Sequence, residues 1–130
     1  MSEDPRIGLI EAAIDAFNAE DVPALLAFIH PEVVSRVAEG LGNPGTFTGI
    51  EGYVAMMSDW GEALSENQLE LEDVELVDDS VAFALTKQTA VGAGSGIPLA
   101  FSTVFLVGFE GERAIRFEIH PDRDSAIGST

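Results

Sequence analysis

The stretch that decides the fold is SVAFALTKQTAVGAGSGIPLAFSTVFLVGFEGERAIRFEIH, residues 80–120. It contains three long runs of β-forming residues, at positions 80–91, 97–109 and 113–120. The connections between them, GAGSG (92–96) and EGE (110–112), are glycine-rich or short and polar, as is typical of β-hairpins. The spacing therefore predicts three long antiparallel strands joined by tight turns.

The residues before this meander predict one further long strand and one short one. After Ser65 the leucines at 69, 71 and 76 and the valine at 74 alternate imperfectly with acidic residues, which indicates a strand with one exposed face. A short strand is predicted at residues 33–37. Between these two strands, residues 40–45 form a glycine-rich loop that we expect to border the entrance of any pocket.

Three helical segments are predicted in the N-terminal half, the first opening at Asp4-Pro5, the second over residues 22–29 and the third over residues 50–64. Asp4 can accept hydrogen bonds from the first turn, and Pro5 fits the first helical position because its missing N–H would be unpaired there. Apolar residues at 7, 10, 14 and 17 recur on one face of the first helix. The order of elements predicts an α+β domain, with helices on one face of a curved, mainly antiparallel sheet.

Composition limits the possible functions. The chain has 130 residues, a length that suits a single domain covering residues 1–130. Its formal net charge of −17, with 6 Lys plus Arg against 23 Asp plus Glu, disfavours nucleic-acid and anionic-membrane partners. The absence of cysteine excludes disulfides and thiolate chemistry and fits a cytoplasmic location. We also expect no secretory signal and no membrane-spanning segment.

Several segments together resemble one known family. They are FNAED (17–21), HPEVV (30–34), GTFTGIEG (45–52) and FEIHPDR (117–123). In this order they are similar to the NTF2-like superfamily and, within it, to the SnoaL-like, or polyketide cyclase-like, domains. The resemblance implies an NTF2-like cone, in which a curved antiparallel or mixed sheet packs on three N-terminal helical segments. It also implies a homodimer.

The strand register that follows from this resemblance points several strand residues into the cone, and residues of the first and third helices complete the set. We expect these side chains to bind a small apolar or weakly polar molecule: Phe17, Tyr53, Met57, Trp60, Thr86, Gln88, Phe101, Thr103, Phe105, Phe117 and Ile119. Tyr53, Met57 and Trp60 share one face of the third helix and could equally be ordinary core. Gln88 could orient a ligand carbonyl or hydroxyl, or be an amide bonded to a neighbouring side chain.

The resemblance also provides positions at which to look for acid–base chemistry. At the positions where ketosteroid isomerases carry their tyrosine donor, aspartate base and protonated aspartate, this chain has Ala13, Val37 and Thr103. That argues against ketosteroid-type isomerisation. A register slip of one residue would instead turn Arg116, Glu118 and His120 inward.

The cyclase branch uses an acidic residue near the end of the last strand, where Asp122 is the nearest match and His120 lies close by. These two residues are the candidate catalytic pair, although Asp122 could instead cap a final helical turn. No residue pattern predicts a cofactor or a metal site: the two histidines are far apart, and phosphate-binding glycine motifs are absent.

Three functions stay open at this point. The first is a small-molecule-binding SnoaL-like domain with a mostly apolar cone pocket. The second is a cyclase or isomerase that abstracts a proton next to a carbonyl. The third is a non-catalytic dimeric interaction module whose cone is filled by its own side chains.

Overall fold

The computed structural model describes residues 4–39, 41 and 44–130. These residues form four helices and six strands: α1 (Pro5–Asn18), α2 (Val22–Ala27), β1 (Ile29–Val37), β2 (Gly45–Thr48), α3 (Gly49–Ala63), β3 (Leu64–Leu76), β4 (Val81–Gly92), β5 (Pro98–Glu110), β6 (Arg113–His120) and α4 (Arg123–Gly128). Gly40, Gly42 and Asn43 lie outside the described residues, so the position of the glycine-rich loop at the entrance stays a prediction.

The strands form one mixed sheet in the order β2-β1-β6-β5-β4-β3. The three predicted long strands pair as an antiparallel meander, with Thr86 opposite Thr103 and Phe105 opposite Ile119. β1 adds to β6 in parallel, and β2 pairs antiparallel with β1. β3 contains two irregularities in its register with β4, and bulges of this kind bend a strand around the core.

The helices divide between the two faces of the sheet. Side chains of α1 and α3 pack with Ala84, Phe105 and Ile119 in the main core. The residues that alternate with these along the strands point the other way, and there Phe83, Val104 and Leu106 pack against Ala126 of α4. The face that meets α1, α2 and α3 is called the inner face below, and the face under α4 the outer face.

Local capping accounts for where the helices begin. The Asp4 carboxylate accepts from the Arg6 backbone N–H at 3.0 Å with Pro5 in the first turn, as the sequence predicts. Asp21 caps α2 in the same way through the Ala24 N–H. Asn18, the last residue of α1, both donates to the Leu69 carbonyl and accepts from the Leu69 N–H, each at 2.8 Å. This pair of hydrogen bonds fixes the end of α1 against β3.

Apart from shifts of one residue at element ends, the structure differs from the sequence prediction at the junction of α2 with β1 and in the C-terminal tail. α2 ends at Ala27 and β1 begins at Ile29, so His30 and Pro31 belong to the strand and not to a helix end. Proline favours an extended conformation in the residue before it, which suits the beginning of a strand. The tail contains α4, which the sequence indicated only as a final helical turn that Asp122 could cap.

Candidate functional site

A pocket opens between the inner face of the sheet and helices α1, α2 and α3. Its volume is ≈ 60 Å³, counted as the space open to the centres of water molecules. A single water needs roughly 10–15 Å³ by this measure, so the pocket can accept a small organic molecule. Its lining residues are Ile10, Ala13, Ile14, Phe17, Leu25, Phe28, Tyr53, Met57, Trp60, Asn67, Leu69, Ala84, Gln88, Phe105, Val107, Phe117 and Ile119.

Aromatic rings form much of the wall. Phe105 and Phe117 stack on neighbouring strands with ring centroids 5.5 Å apart and planes inclined by 26°. Tyr53 from α3 meets Phe117 edge-on, with centroids 5.6 Å apart. Flat, rigid surfaces of this kind suit a ligand that contains a ring, because aromatic contacts add to the free energy of apolar burial.

Two amide side chains provide a polar strip in this apolar wall. The Gln88 Nε2 donates to Asn67 Oδ1 at 2.5 Å, which joins the inner faces of β4 and β3. Gln88 Oε1 accepts from the Thr103 hydroxyl at 3.4 Å. Thr86 and Thr103 stand behind, with their hydroxyl oxygens 2.7 Å apart. The buried amide of Gln88 is therefore held on both sides.

Tyr53 brings a second polar group into the pocket. The residue is only 2% exposed, and its hydroxyl has no hydrogen-bond partner among the described residues. Burial raises the pKa of Tyr53 well above its usual value, since the phenolate would lose its hydration. The side chain therefore stays a neutral phenol that can donate a hydrogen bond to a bound molecule.

The described lining of the pocket is free of charged side chains. Among the described residues that line it, none is Asp, Glu, His, Lys or Arg. Proton abstraction next to a carbonyl needs a base within hydrogen-bond reach. The described lining can therefore accommodate and orient a neutral molecule, and it holds no carboxylate or imidazole that could act as such a base.

The structure brings most of the predicted ligand-binding residues together around the pocket. Eight of the residues predicted to bind line it: Phe17, Tyr53, Met57, Trp60, Gln88, Phe105, Phe117 and Ile119. Their role in binding stays a prediction. The inward orientation of Phe117 and Ile119 identifies the register of β6, and the alternative with Arg116, Glu118 and His120 inward is wrong.

Thr86, Thr103 and Phe101 do not line the pocket, which corrects the expectation for these three. The two threonines lie opposite each other, and the Thr86 hydroxyl donates to the Thr103 carbonyl at 3.0 Å. Their hydroxyls are thus bonded to each other and to Gln88 and do not contribute to the pocket surface. Phe101 lies opposite Gln88 and is only half-buried, and it is not among the residues that line the pocket.

Asp122 and His120, the candidate catalytic pair, also lie away from the pocket. His120 alternates with Ile119 along β6 and therefore points to the outer face, where it is 0% exposed. Asp122 is exposed and caps α4 by accepting from the Ser125 N–H at 2.8 Å. Neither side chain faces the cone, so neither is placed to act as a base on a ligand there.

On the outer face His120 belongs to a buried polar cluster. Its Nε2 lies 2.8 Å from Glu118 Oε1, and its Nδ1 lies 2.8 Å from the Ser125 hydroxyl. Glu118 also accepts from Arg116 Nε at 2.7 Å and from the Ser129 hydroxyl at 2.6 Å. Burial raises the pKa of Glu118, but the hydrogen bonds from Ser129, His120 and Arg116 outweigh it, so its pKa lies below the usual value.

Sequence reasoning missed the polar residue Asn67 and much of the helical lining. Asn67 stands two residues before Leu69, and both side chains line the pocket. The register of β3 with β4 shifts between Ser65 and Gln68, so the regular alternation that starts at Leu69 does not identify Asn67 from the sequence. The missed apolar lining residues are Ile10, Ala13, Ile14, Leu25, Phe28, Leu69, Ala84 and Val107.

The curved mixed sheet packed on three N-terminal helices defines the class of NTF2-like cone proteins. The chain belongs to the SnoaL-like domain family, whose model matches residues 10–117. None of the curated proteins matches the sequence significantly.

Solved structures have the same fold at low sequence identity. An NTF2-like protein of unknown function from Burkholderia pseudomallei is 22% identical, covers 97% of both chains and superposes with a TM-score of 0.82. TerC, co-crystallised with polyporic acid, is 20% identical over 97% of both chains, with a TM-score of 0.80. A proposed SnoaL-like polyketide cyclase from Jannaschia is 16% identical over 98% of this chain and 94% of its own, with a TM-score of 0.79.

The described residues contain neither a membrane-spanning helix nor a metal-binding group. Across residues 4–39, 41 and 44–130, no helix is long and apolar enough to cross a bilayer. In the same part of the chain, no three His, Cys, Asp or Glu side chains are grouped so that they could hold a metal ion.

Proposed function

We propose that this domain binds an uncharged, largely apolar small molecule in the cone pocket and acts as a binding protein. The observation that carries the proposal is the pocket itself: an open space walled by aromatic and aliphatic side chains, with no ionised group in its described lining. Apolar burial would supply most of the affinity, at roughly 25 cal/mol per Å² of surface removed from water.

The two alternative functions have less support. An interaction module would have its cone filled by its own side chains, whereas this cone contains a pocket. A cyclase or isomerase would need a base, which the described lining does not provide. TerC and the Jannaschia protein, by their names, also associate this fold with small organic molecules.

A matched pair of substitutions on α1 tests binding. Ala13 lines the pocket, and Ala12, its neighbour, is exposed. Ala13→Phe should fill the pocket and weaken the binding of indane, a neutral bicyclic hydrocarbon, by about tenfold or more. Ala12→Phe should leave the affinity unchanged.

Nuclear magnetic resonance offers a specific readout for this test. The chain has one tryptophan, Trp60, and it lines the pocket, so a single indole N–H signal reports on the site. Indane should shift this signal in a saturable way in the unaltered protein and in Ala12→Phe. A shift that is absent from the unaltered protein, or unaffected by Ala13→Phe, would reject binding in the cone.

We also propose that the domain acts as a cytoplasmic homodimer. The family resemblance supports the dimer, and the lack of cysteine suits a reducing compartment. Native mass spectrometry should give a species of twice the chain mass of 13.8 kDa. A species at the chain mass alone, at micromolar concentration, would contradict the dimer.

A further inference from the structure

The polar groups of the pocket are not equally committed to partners within the protein. Asn67 Oδ1 is occupied, because it accepts from Gln88 Nε2 at 2.5 Å. The Asn67 Nδ2 group has no acceptor among the described residues, although the side chain lines the pocket. An amide has two donors on nitrogen and two lone pairs on oxygen, so Asn67 keeps both N–H donors unused, whereas its oxygen is already engaged by Gln88 and keeps one lone pair.

The groups behind Gln88 explain why the amide pair runs in this direction. The Thr86 hydroxyl donates to the Thr103 carbonyl oxygen at 3.0 Å and lies 2.7 Å from the Thr103 hydroxyl. The Thr103 hydroxyl in turn donates to Gln88 Oε1 at 3.4 Å. The single Thr86 hydroxyl hydrogen is shared between the carbonyl and hydroxyl oxygens of Thr103, which leaves the Thr103 hydroxyl hydrogen for Gln88 Oε1. The series of hydrogen bonds ends at the pocket with the free N–H groups of Asn67.

The two other polar lining residues add donors. The Tyr53 residue is only 2% exposed, and its hydroxyl has no partner among the described residues. The Trp60 indole N–H can only donate. The amide oxygens of Asn67 and Gln88 are each already engaged by one donor. The polar groups of the wall with no partner at all among the described residues are therefore the N–H groups of Asn67, the Trp60 indole N–H and the Tyr53 hydroxyl, each of which can donate.

Charge excludes two classes of ligand from this set of donors. The described lining contains no cation that would neutralise a carboxylate or phosphate, and no anion that would pair with an amine. The net charge of −17 also repels anions at long range. A polar group that satisfies the free donors must therefore be neutral.

We propose that Asn67 selects the polar group of the ligand, and that this group is an uncharged hydrogen-bond acceptor such as a ketone oxygen. Gln88 and Thr103 act as positioning residues that keep the Asn67 N–H groups directed at the pocket. This inference rests on the proposed function, since it concerns a ligand held in the same cone.

Three bicyclic molecules of similar size test the inference: 1-indanone carries an acceptor, indole carries an N–H donor, and indane carries neither. One net neutral hydrogen bond corresponds to a factor of about three to ten in affinity. We expect 1-indanone to bind about threefold to tenfold more tightly than indane, and indole no more tightly than indane. Titrations followed by the Trp60 indole signal, with calorimetry as a second measurement, give the three dissociation constants.

The isosteric substitution Asn67→Asp identifies the residue responsible. The new carboxylate can still accept from Gln88 but has no N–H, so the preference for 1-indanone should disappear and indole should gain affinity. Gln68→Glu makes the same chemical change at the exposed neighbouring position, where the side chain donates to the main-chain carbonyls of Asn18 and Asn67 but does not line the pocket. It therefore also controls for any disturbance of the Asn67 main chain, and it should leave the ranking unchanged. Should the carboxylate disturb the fold, Asn67→Leu should bring 1-indanone and indane to equal affinity.

The outcomes separate this inference from the proposed function. A tighter complex with indole than with 1-indanone in the unaltered protein, or a ranking that survives Asn67→Asp and Asn67→Leu, would overturn the role of Asn67. Binding of indane that Ala13→Phe abolishes would still support a cone-binding protein in that case. Absence of binding by all three molecules would reject both.

Discussion

Tyr53 shows at the scale of a single residue how a side chain can serve binding and not stability. Its ring packs edge-on against Phe117 in the core, while its hydroxyl has no partner among the described residues. Among the described residues the fully enclosed side-chain oxygen without a partner is Ser35 Oγ, so the Tyr53 hydroxyl keeps accessible surface at the pocket that it lines. A bound molecule is therefore the partner that the geometry leaves available to this hydroxyl.

Tyr53→Phe tests this explanation. The ring and its packing are kept, so we expect the free energy of unfolding to stay within about 0.5 kcal/mol of the original or to rise by up to about 1 kcal/mol. Urea unfolding at pH 7 measures it. The affinity for 1-indanone should fall relative to that for indane if the hydroxyl donates to the ketone. A loss of more than about 1 kcal/mol in stability would show that the hydroxyl has a structural partner.

The sequence identified Gln88 as a polar residue facing the cone but did not decide whether it binds a ligand or a neighbouring side chain. The sequence placed it inward with two interpretations, a ligand-orienting amide or an amide satisfied by a neighbour. The structure shows that it lines the pocket and also bonds Asn67. Asn67 comes from β3, a distant segment, and a pair between two segments far apart in sequence depends on a strand register that no local pattern specifies.

At the scale of secondary-structure elements, α4 is held on the sheet by a polar cluster on the face opposite α1, α2 and α3. It is six residues long, too short to be stable alone, so tertiary contacts must hold it. Ala126 packs on Phe83 and Leu106, and Ser125 and Ser129 bond His120 and Glu118 of β6. The polar cluster around Glu118 thus attaches the C-terminal helix to the sheet.

Glu118→Gln should therefore destabilise the protein through α4. Glu118 is 5% exposed and accepts from Arg116, Ser129 and His120, and a neutral amide would leave some of these donors unpaired. We expect a loss of about 1–3 kcal/mol in unfolding free energy at pH 7, measured in urea. Glu112→Gln, at an exposed turn, is the matched control and should change stability by less than about 0.5 kcal/mol.

The same residue predicts a dependence on pH. The pKa of Glu118 lies below its ordinary value of 4.5 in the folded protein, so the unfolded chain binds the proton more readily. The stabilisation is complete above pH 4.5 and is lost as the pH falls through the lower folded value. Glu118→Gln should reduce the slope of stability against pH in that interval, and an unchanged slope would contradict the assignment. The Arg6 hydrogen bonds hold the pKa of Asp4 at about 2, which adds a slope of the same sign that this variant keeps.

The elements themselves were largely predictable, because long strands and amphipathic helices leave strong periodic signals. The predicted bounds of β6 agree with the structure, and those of β4 and β5 differ by one residue at each end. The boundary between α2 and β1 was missed because residues 25, 26, 28 and 29 are apolar, and such a run is compatible with helix or strand. Tertiary pairing with β6 decides that Ile29 belongs to the sheet.

At the scale of the whole molecule, the acidic excess is separated from the pocket. The chain has 23 Asp and Glu residues, and none of them is among the described residues that line the pocket. The negative charge therefore lies elsewhere on the protein. β3, an edge strand, carries several of these charges, including exposed Glu70 and Glu72. Charged side chains on an edge strand oppose pairing with other chains.

The charge balance predicts how salt affects stability. A net charge of −17 on a small domain repels itself in the compact state, and screening by salt relieves this repulsion. We expect the midpoint of urea unfolding at pH 7 to rise between 0.02 M and 0.5 M NaCl. The ion pairs of Glu118 and Arg6 act in the opposite direction, but the acidic residues outnumber the basic ones by 23 to 6.

The experiment has its control in the pH. Near the isoelectric point, pI ≈ 4.1, net repulsion is small, so the same NaCl titration should give a smaller rise or none. Equal rises at both pH values would attribute the effect to general salting-out and not to charge. A midpoint that falls with NaCl at pH 7 would mean that the specific ion pairs outweigh the repulsion. In that case the Glu118 cluster would dominate the electrostatics of this fold, and Glu118→Gln should abolish the fall.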